Sequence, residues 1–110
     1  MTEDKMAALV VRLAEKTKAG SIHWESDSLN QNIYRFSLTF TTMEIAELEN
    51  NYKFSIIDGN GREIESLLDT EFHQHVDYPQ IHVMRDLYTF ARRSSHDVDK
   101  QIDEIMSALK

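Results

Sequence analysis

The sequence predicts an α+β fold with an N-terminal helix, an antiparallel meander sheet of four or five strands, and two C-terminal helices packed on one face. At both ends of the chain, apolar residues recur every three or four positions, which is the period of a helix with one buried face. Between residues 22 and 68 the period falls to two, and β-branched and aromatic residues become more frequent. No linker or repeat interrupts the pattern, so we expect a single domain over residues 1–110.

The first helix is predicted over residues 3–18. Lys16 and Lys18 lie in its last turn, where basic side chains favour the negative end of the helix dipole, and Gly20 is a typical residue just past a helix end. We expect this helix to cover one face of the sheet. Its predicted buried stripe consists of Met6, Leu9, Val10, Leu13 and Thr17.

The clearest predicted strand is a run of alternating residues, typical of a strand with one buried and one wet face. Its apolar members are Tyr34, Phe36, Leu38 and Phe40. The polar pair Thr41-Thr42 that follows indicates a bend, a bulge or a tight turn, and the pattern does not distinguish these.

Two hairpin turns are predicted after that run, at Asn50-Asn51 and at Asp58-Gly59-Asn60-Gly61, because Asn, Asp and Gly tolerate turn backbones. A short strand over residues 22–25 is expected to carry Trp24. We interpret Trp24 as a core anchor, although an exposed Trp would indicate an interface hot spot.

The last third of the chain returns to helical spacing. Asp77 and Pro79 are typical of a helix start, and Ser95 is a plausible N-cap for a second helix. Whether the two segments form one bent helix or two helices stays open. The first predicted buried stripe consists of Ile81, Met84, Leu87 or Tyr88, and Ala91, and the second of Val98, Ile102, Ile105, Met106 and Leu109.

Composition excludes several classes of function. Twelve basic residues against 19 acidic ones give a net charge of −7, which opposes broad nucleic-acid binding. The absence of Cys excludes disulfide frameworks and thiolate metal sites, and it favours a reducing compartment. No apolar run approaches the roughly 20 residues that span a bilayer, and a charged start lacks a signal-like stretch. We therefore expect a cytoplasmic protein that does not act at a membrane.

A candidate metal site lies between the sheet and the C-terminal helices. In an extended segment, Glu71, His73, His75 and Asp77 would project from one face, with His82 able to join from the next helix. Two His and a carboxylate are typical ligands of Zn²⁺ or Fe²⁺. Polar residues are also expected in any solvent-exposed connection, so an ordinary loop is the competing interpretation.

A candidate binding site consists of Arg85, Tyr88 and Arg92. Seven residues separate the two Arg, which places them on one helix face with Tyr88 between them. Arg can hold a phosphate or carboxylate, and Tyr can stack on a base, so the trio suits a nucleotide or phosphopeptide. The alternative is ordinary surface pairing with nearby carboxylates such as Asp86.

The chain resembles many small uncharacterised bacterial proteins, some of phage and mobile-element type. The resemblance rests on the pattern Leu-x-x-Lys-Thr-x-x-Gly-x-Ile-x-Trp from Leu13 to Trp24, on Asp58-x-x-Gly61 after a strand, and on Leu-Tyr-x-x-Ala-Arg from Leu87 to Arg92. It implies a helix beside an antiparallel sheet with C-terminal helices, and a role in bacterial conflict or host interference. It implies no activity.

Three functions follow as expectations. The first is a non-enzymatic protein-interaction module that forms a homodimer and docks its acidic surface on a basic protein partner. The alternative is a small-molecule or nucleotide binder that uses Arg85, Tyr88 and Arg92. The third is a metal-dependent enzyme that uses His73 and His75. For the first two we expect no bound cofactor.

Overall fold

The computed structural model describes residues 2–30, 32–49, 51–70 and 83–109. Within these ranges the predicted α+β class and element order are confirmed. The helices are α1 (Thr2–Lys18), α2 (Val83–Ser95) and α3 (Val98–Ala108). The strands are β1 (Glu25–Ser26), β2 (Ile33–Ser37), β3 (Thr41–Glu47), β4 (Tyr52–Asp58) and β5 (Glu63–Leu68).

The five strands form one antiparallel meander in the order β1-β2-β3-β4-β5. The β4–β5 hairpin turns as predicted at Asp58, whose carboxylate accepts hydrogen bonds from the backbone N–H groups of Asn60 and Arg62 at 2.9 and 3.0 Å. Gly61 has a φ of +83°, a conformation that costs Gly little and other residues more. The residue types at this turn therefore fix where β4 ends.

The predicted strand from Tyr34 to Phe40 is too long. The β2–β3 turn already occupies residues 38–40, where the Leu38 N–H donates to the Thr41 carbonyl at 2.7 Å. Leu38 and Phe40 are consequently 60% and 79% exposed, although the alternation predicted that they lie on the buried face of the strand. The Thr41-Thr42 pair opens β3 instead of forming a bend.

The core lies between the helices and one face of the sheet. α2 packs over the first four strands, and α1 packs against α2 and β5. The predicted stripes of α1 and α2 supply much of this core: Met6, Val10, Leu13, Met84, Leu87, Tyr88 and Ala91 are all buried. The predicted residue Ile81 lies outside the described residues.

Trp24 is fully buried, as the core interpretation predicted, but it lies just before β1 instead of within a strand over residues 22–25. Its indole N–H donates to the Thr17 hydroxyl at 2.8 Å, and that hydroxyl donates to the Leu13 carbonyl at 2.6 Å. Its backbone N–H donates to the Ser94 hydroxyl at 2.9 Å. Trp24 therefore joins α1 and α2.

Charged side chains on the other face of the sheet pair with one another. The Arg35 guanidinium contacts the carboxylates of Glu44 at 2.8 Å and Asp27 at 3.3 Å. Lys53 pairs with Glu63 at 2.9 Å, and this hydrogen bond lowers the pKa of the Glu63 carboxyl. Charges on this face are thus largely matched within the sheet.

Residues 83–109 form two separate helices, since α2 ends at Ser95 and α3 begins at Val98. The predicted N-cap Ser95 therefore belongs to α2, and Asp97 precedes α3. The predicted burial of the second stripe is wrong, because no residue of α3 is buried. Among the helices described, none combines the length and apolarity needed to cross a bilayer.

Candidate functional site

The exposed apolar side of α3 is the largest departure from the burial that the sequence predicted. Ile102, Ile105 and Met106 are 44%, 57% and 64% exposed, and Leu109, just past the helix end, is 76% exposed. We call these four residues, with the half-buried Val98 at the start, the α3 stripe. Single exposed apolar residues are ordinary on a protein surface, but a row of them along one helix side is typical of an interaction site.

The charges of α3 lie away from the α3 stripe. At 100° per residue, Lys100, Asp103 and Glu104 fall on the opposite half of the helix. Gln101 and Ala108 border the stripe on one side. Asp99 borders it on the other side, and its carboxylate is paired with the Arg93 guanidinium at 2.7 Å. The stripe is therefore bordered by uncharged or ion-paired side chains.

The junction between α2 and α3 sets the direction of α3. Asp97 has φ 50° and ψ 45°, the left-handed region, and its N–H donates to the Ser94 carbonyl at 3.2 Å. Beside this junction lies a depression of about 400 Å³. Ile22, Phe90 and Val98 line it together with polar and charged residues, so the apolar surface of the stripe continues into only part of it.

Arg85, Tyr88 and Arg92 share one side of α2, as predicted, but they differ in exposure. Tyr88 is only 8% exposed, whereas Arg85 and Arg92 are exposed. The ring of Tyr88 packs at 5.4 Å from that of Tyr34 and 5.3 Å from that of Tyr52. Stacking of a base on Tyr88, which the sequence suggested, would require this packing to open.

A second cavity, of about 580 Å³, lies where the end of α2 faces β2 and the β1–β2 connection. We call it the tyrosine cleft. Its walls include Ser28, Asn32, Tyr34, Tyr88, Arg92 and His96. The ring of His96 lies 6.3 Å from that of Tyr34, edge to face. Sequence reasoning did not predict that Tyr34 and His96 lie in the same cleft as Arg92. The four-residue step from Arg92 to His96 could have indicated it for His96, because residues four apart lie on the same side of a helix.

Burial controls the tyrosine hydroxyls of this region. It is the main cause that raises the pKa of Tyr88 to about 12, and the neighbouring Tyr34 and Glu47 raise this pKa further. Burial also raises the pKa of Tyr52, with a further contribution from Glu47. The Tyr88 hydroxyl consequently remains protonated at neutral pH and can act as a hydrogen-bond donor.

The predicted metal ligands His73, His75, Asp77 and His82, with Glu71, lie outside the described residues. Within the described ranges, no group of three or more His, Asp or Glu side chains is arranged to hold a metal ion. The metal site therefore stays a prediction from the sequence.

The candidate residues thus separate into the α3 stripe and the tyrosine cleft. The resemblance to small bacterial proteins stays a prediction. Comparisons of the chain with protein-family models, curated proteins and solved structures found no match.

Proposed function

We propose that this protein is a protein-interaction module that forms a homodimer through the α3 stripe. The observation that carries the proposal is the exposure of Ile102, Ile105, Met106 and Leu109 along one side of a helix with no buried residue. Covering apolar surface is favourable by about 25 cal/mol per Å², so a partner on this side gains binding free energy.

The low intrinsic stability of α3 is a second argument for this proposal. Helices of fewer than about 12–15 residues are marginal in water unless an apolar face is packed, and α3 has 11 residues. Asp97 provides no side-chain capping hydrogen bond at its start. Packing of the stripe against another surface therefore favours both the interface and the helix itself.

The spacing and the flanks of the stripe favour a second copy as the partner. Val98, Ile102, Ile105 and Leu109 follow steps of four, three and four residues, which is the seam of paired helices. Two such seams can face each other across a two-fold axis without opposing unpaired like charges, because the charges of Asp103 and Glu104 point away from the seam. A two-fold interface uses the same patch on both copies.

The depression beside Val98 suits an antiparallel arrangement. In that arrangement the exposed Leu109 at the end of one α3 lies beside the start of the partner's helix. Ile22 and Phe90 contribute apolar surface to the depression there, beside its polar and charged lining residues. The least covered residue of the stripe would thus gain the most burial.

Sedimentation equilibrium of a matched pair of variants tests the proposal. Ile105→Glu places a charge in the stripe without loss of helix propensity. Ile64→Glu makes the same change on β5, at a residue of similar exposure, 60% against 57%. We expect the wild type and Ile64→Glu to dimerise and folded Ile105→Glu to stay monomeric. A wild type that is monomeric up to about 1 mM, where binding would be weaker than about −4 kcal/mol, contradicts the proposal.

Salt separates a second copy from the basic partner that the acidic composition suggested. Each copy carries a net charge of −7, so screening by salt should strengthen the dimer or leave it unchanged. A basic protein that covers α3 would be attracted by Asp103 and Glu104 and would bind more weakly as salt rises. Salt-sensitive capture of a basic protein by a chain that is itself monomeric would replace the homodimer.

A further inference from the structure

We propose that the tyrosine cleft binds a small phosphate monoester through Arg92 and His96. This site lies at the end of α2 and on the sheet, and it goes beyond the dimer proposed for α3. Its volume of about 580 Å³ falls within the range of about 300–1,000 Å³ that is usual for small-molecule sites. A bare phosphate ion would leave most of it empty, which points to a phosphate carried by a larger organic group.

Arg92 gives the cleft a positive charge that an anion can pair with. Arg92 forms no ion pair with any other residue in the described ranges. Asp27 also lines the cleft, and its carboxylate contacts the Arg35 guanidinium at 3.3 Å. Arg35 offsets only part of the negative charge of Asp27, because it also pairs with Glu44 at 2.8 Å, whereas the positive charge of Arg92 remains available to a ligand. Arg binds phosphate oxygens through two parallel N–H donors.

The backbone at the end of α2 places His96 beside Arg92. The His96 N–H donates to the Arg92 carbonyl at 3.1 Å, which continues the helical geometry for one residue past Ser95. The two side chains are four residues apart and therefore project on the same side. Contact of the His96 ring with the edge of Tyr34, at 6.3 Å between ring centroids, orients the imidazole at the cleft wall.

Neutral donors complete the site. The Tyr88 hydroxyl is protonated at neutral pH, shares a hydrogen bond with Tyr34 and lies within the electrostatic influence of Arg92. The side-chain amide of Asn32 makes no hydrogen bond to another described residue, and Asn32 is held in place by its backbone, whose carbonyl accepts from the Glu47 N–H at 2.9 Å. Tyr34, 2% exposed, lies beneath the cleft and supports it through its ring contacts with Tyr88 and His96.

The test is a titration of the full chain with phenyl phosphate, inorganic phosphate, phenol and benzoate, followed by the imidazole NMR signals of His96. We expect saturable shifts with phenyl phosphate, weaker binding of inorganic phosphate and benzoate, and no shift with phenol. Arg92→Gln should weaken phenyl phosphate binding at least about tenfold, the usual result of losing a charged hydrogen bond. Arg93→Gln, a matched change at a residue paired with Asp99, should leave it within about twofold.

Several results would overturn the site. The first is the absence of a saturable shift with phenyl phosphate up to about 10 mM, where the binding free energy would be weaker than about −3 kcal/mol. The second is a shift with phenol as large as that with phenyl phosphate, or an affinity for benzoate as high as that for phenyl phosphate. The third is an equal loss of phenyl phosphate affinity in the Arg92 and Arg93 variants. The native fluorescence of buried Trp24 confirms that each variant is folded. The titration does not depend on the α3 dimer, since it is repeated with the Ile105→Glu variant and should give the same affinity.

Discussion

At the residue scale, one buried indole organises the junction between the first helix and the rest of the molecule. Trp24 donates its indole N–H to Thr17 in α1 and its backbone N–H to Ser94 in α2. The Ser94 hydroxyl in turn donates to the Ile22 carbonyl at 3.2 Å. These bonds satisfy polar groups that would otherwise be costly to bury, and they fix the segment that leads into the sheet.

The Thr17 hydroxyl is therefore expected to matter for stability. Thr17→Val keeps the shape of the side chain but leaves the buried indole N–H of Trp24 without its acceptor, which should lower the free energy of unfolding by about 1–3 kcal/mol. Thr17→Ser keeps the hydroxyl and loses one methyl group, so its cost should be only about 0.8 kcal/mol. Urea unfolding followed by the fluorescence of the single Trp measures both. Equal stability of the Val variant and the wild type would contradict the assigned hydrogen bond.

Residue patterns predicted which side chains of α2 share a side more successfully than what surrounds those side chains. The seven-residue step correctly placed Arg85 and Arg92 on one side of α2 with Tyr88 between them. No local pattern indicated that Tyr34 and Tyr52 would cover Tyr88, because those contacts come from strands far away in the chain. Local spacing shows which side chains share a face, and only the tertiary fold shows what covers it.

At the scale of elements, the same limit explains the two main errors of prediction. The alternation through Tyr34 and Phe36 was correctly assigned to a buried strand face, but Leu38 and Phe40 continue the alternation into a turn. The stripe of α3 has the period of a buried helix face, yet no other part of the described chain buries it. Helix and strand periods predicted type and order of elements well, because those depend on local pattern.

The break between α2 and α3 depends on the left-handed backbone of Asp97. That region costs a β-branched residue about 1–2 kcal/mol, whereas Gly adopts it freely. Asp97→Val should therefore lower stability by about 1–2 kcal/mol, and Asp97→Gly should stay within about 1 kcal/mol of the wild type. Thermal unfolding followed by circular dichroism measures these changes.

Lys100→Val is the control for that junction. It introduces the same side chain in α3, where the backbone is helical, and should cost less than about 0.7 kcal/mol. If the Val substitutions at positions 97 and 100 cost the same, the left-handed backbone of Asp97 does not hold the two helices apart.

At the scale of the whole molecule, a two-layer arrangement leaves two different surfaces open. The free face of the sheet carries matched charges, such as Arg35 with Glu44 and Lys53 with Glu63. The α3 stripe carries apolar side chains without cover from the described residues. The net charge of −7 predicted an acidic docking surface. It could not locate the apolar α3 stripe, because composition carries no information on which helix packs against the sheet.

Amide hydrogen exchange of α3 at increasing protein concentration is the most direct test that this helix is the interface. If two copies pair through the stripe, protection of the amides in residues 98–108 should rise with concentration, because α3 alone is a marginal helix. Amides of the β2–β3 turn should not change, and Ile105→Glu should keep α3 unprotected at every concentration. Protection of α3 that is independent of concentration in the wild type would contradict the homodimer.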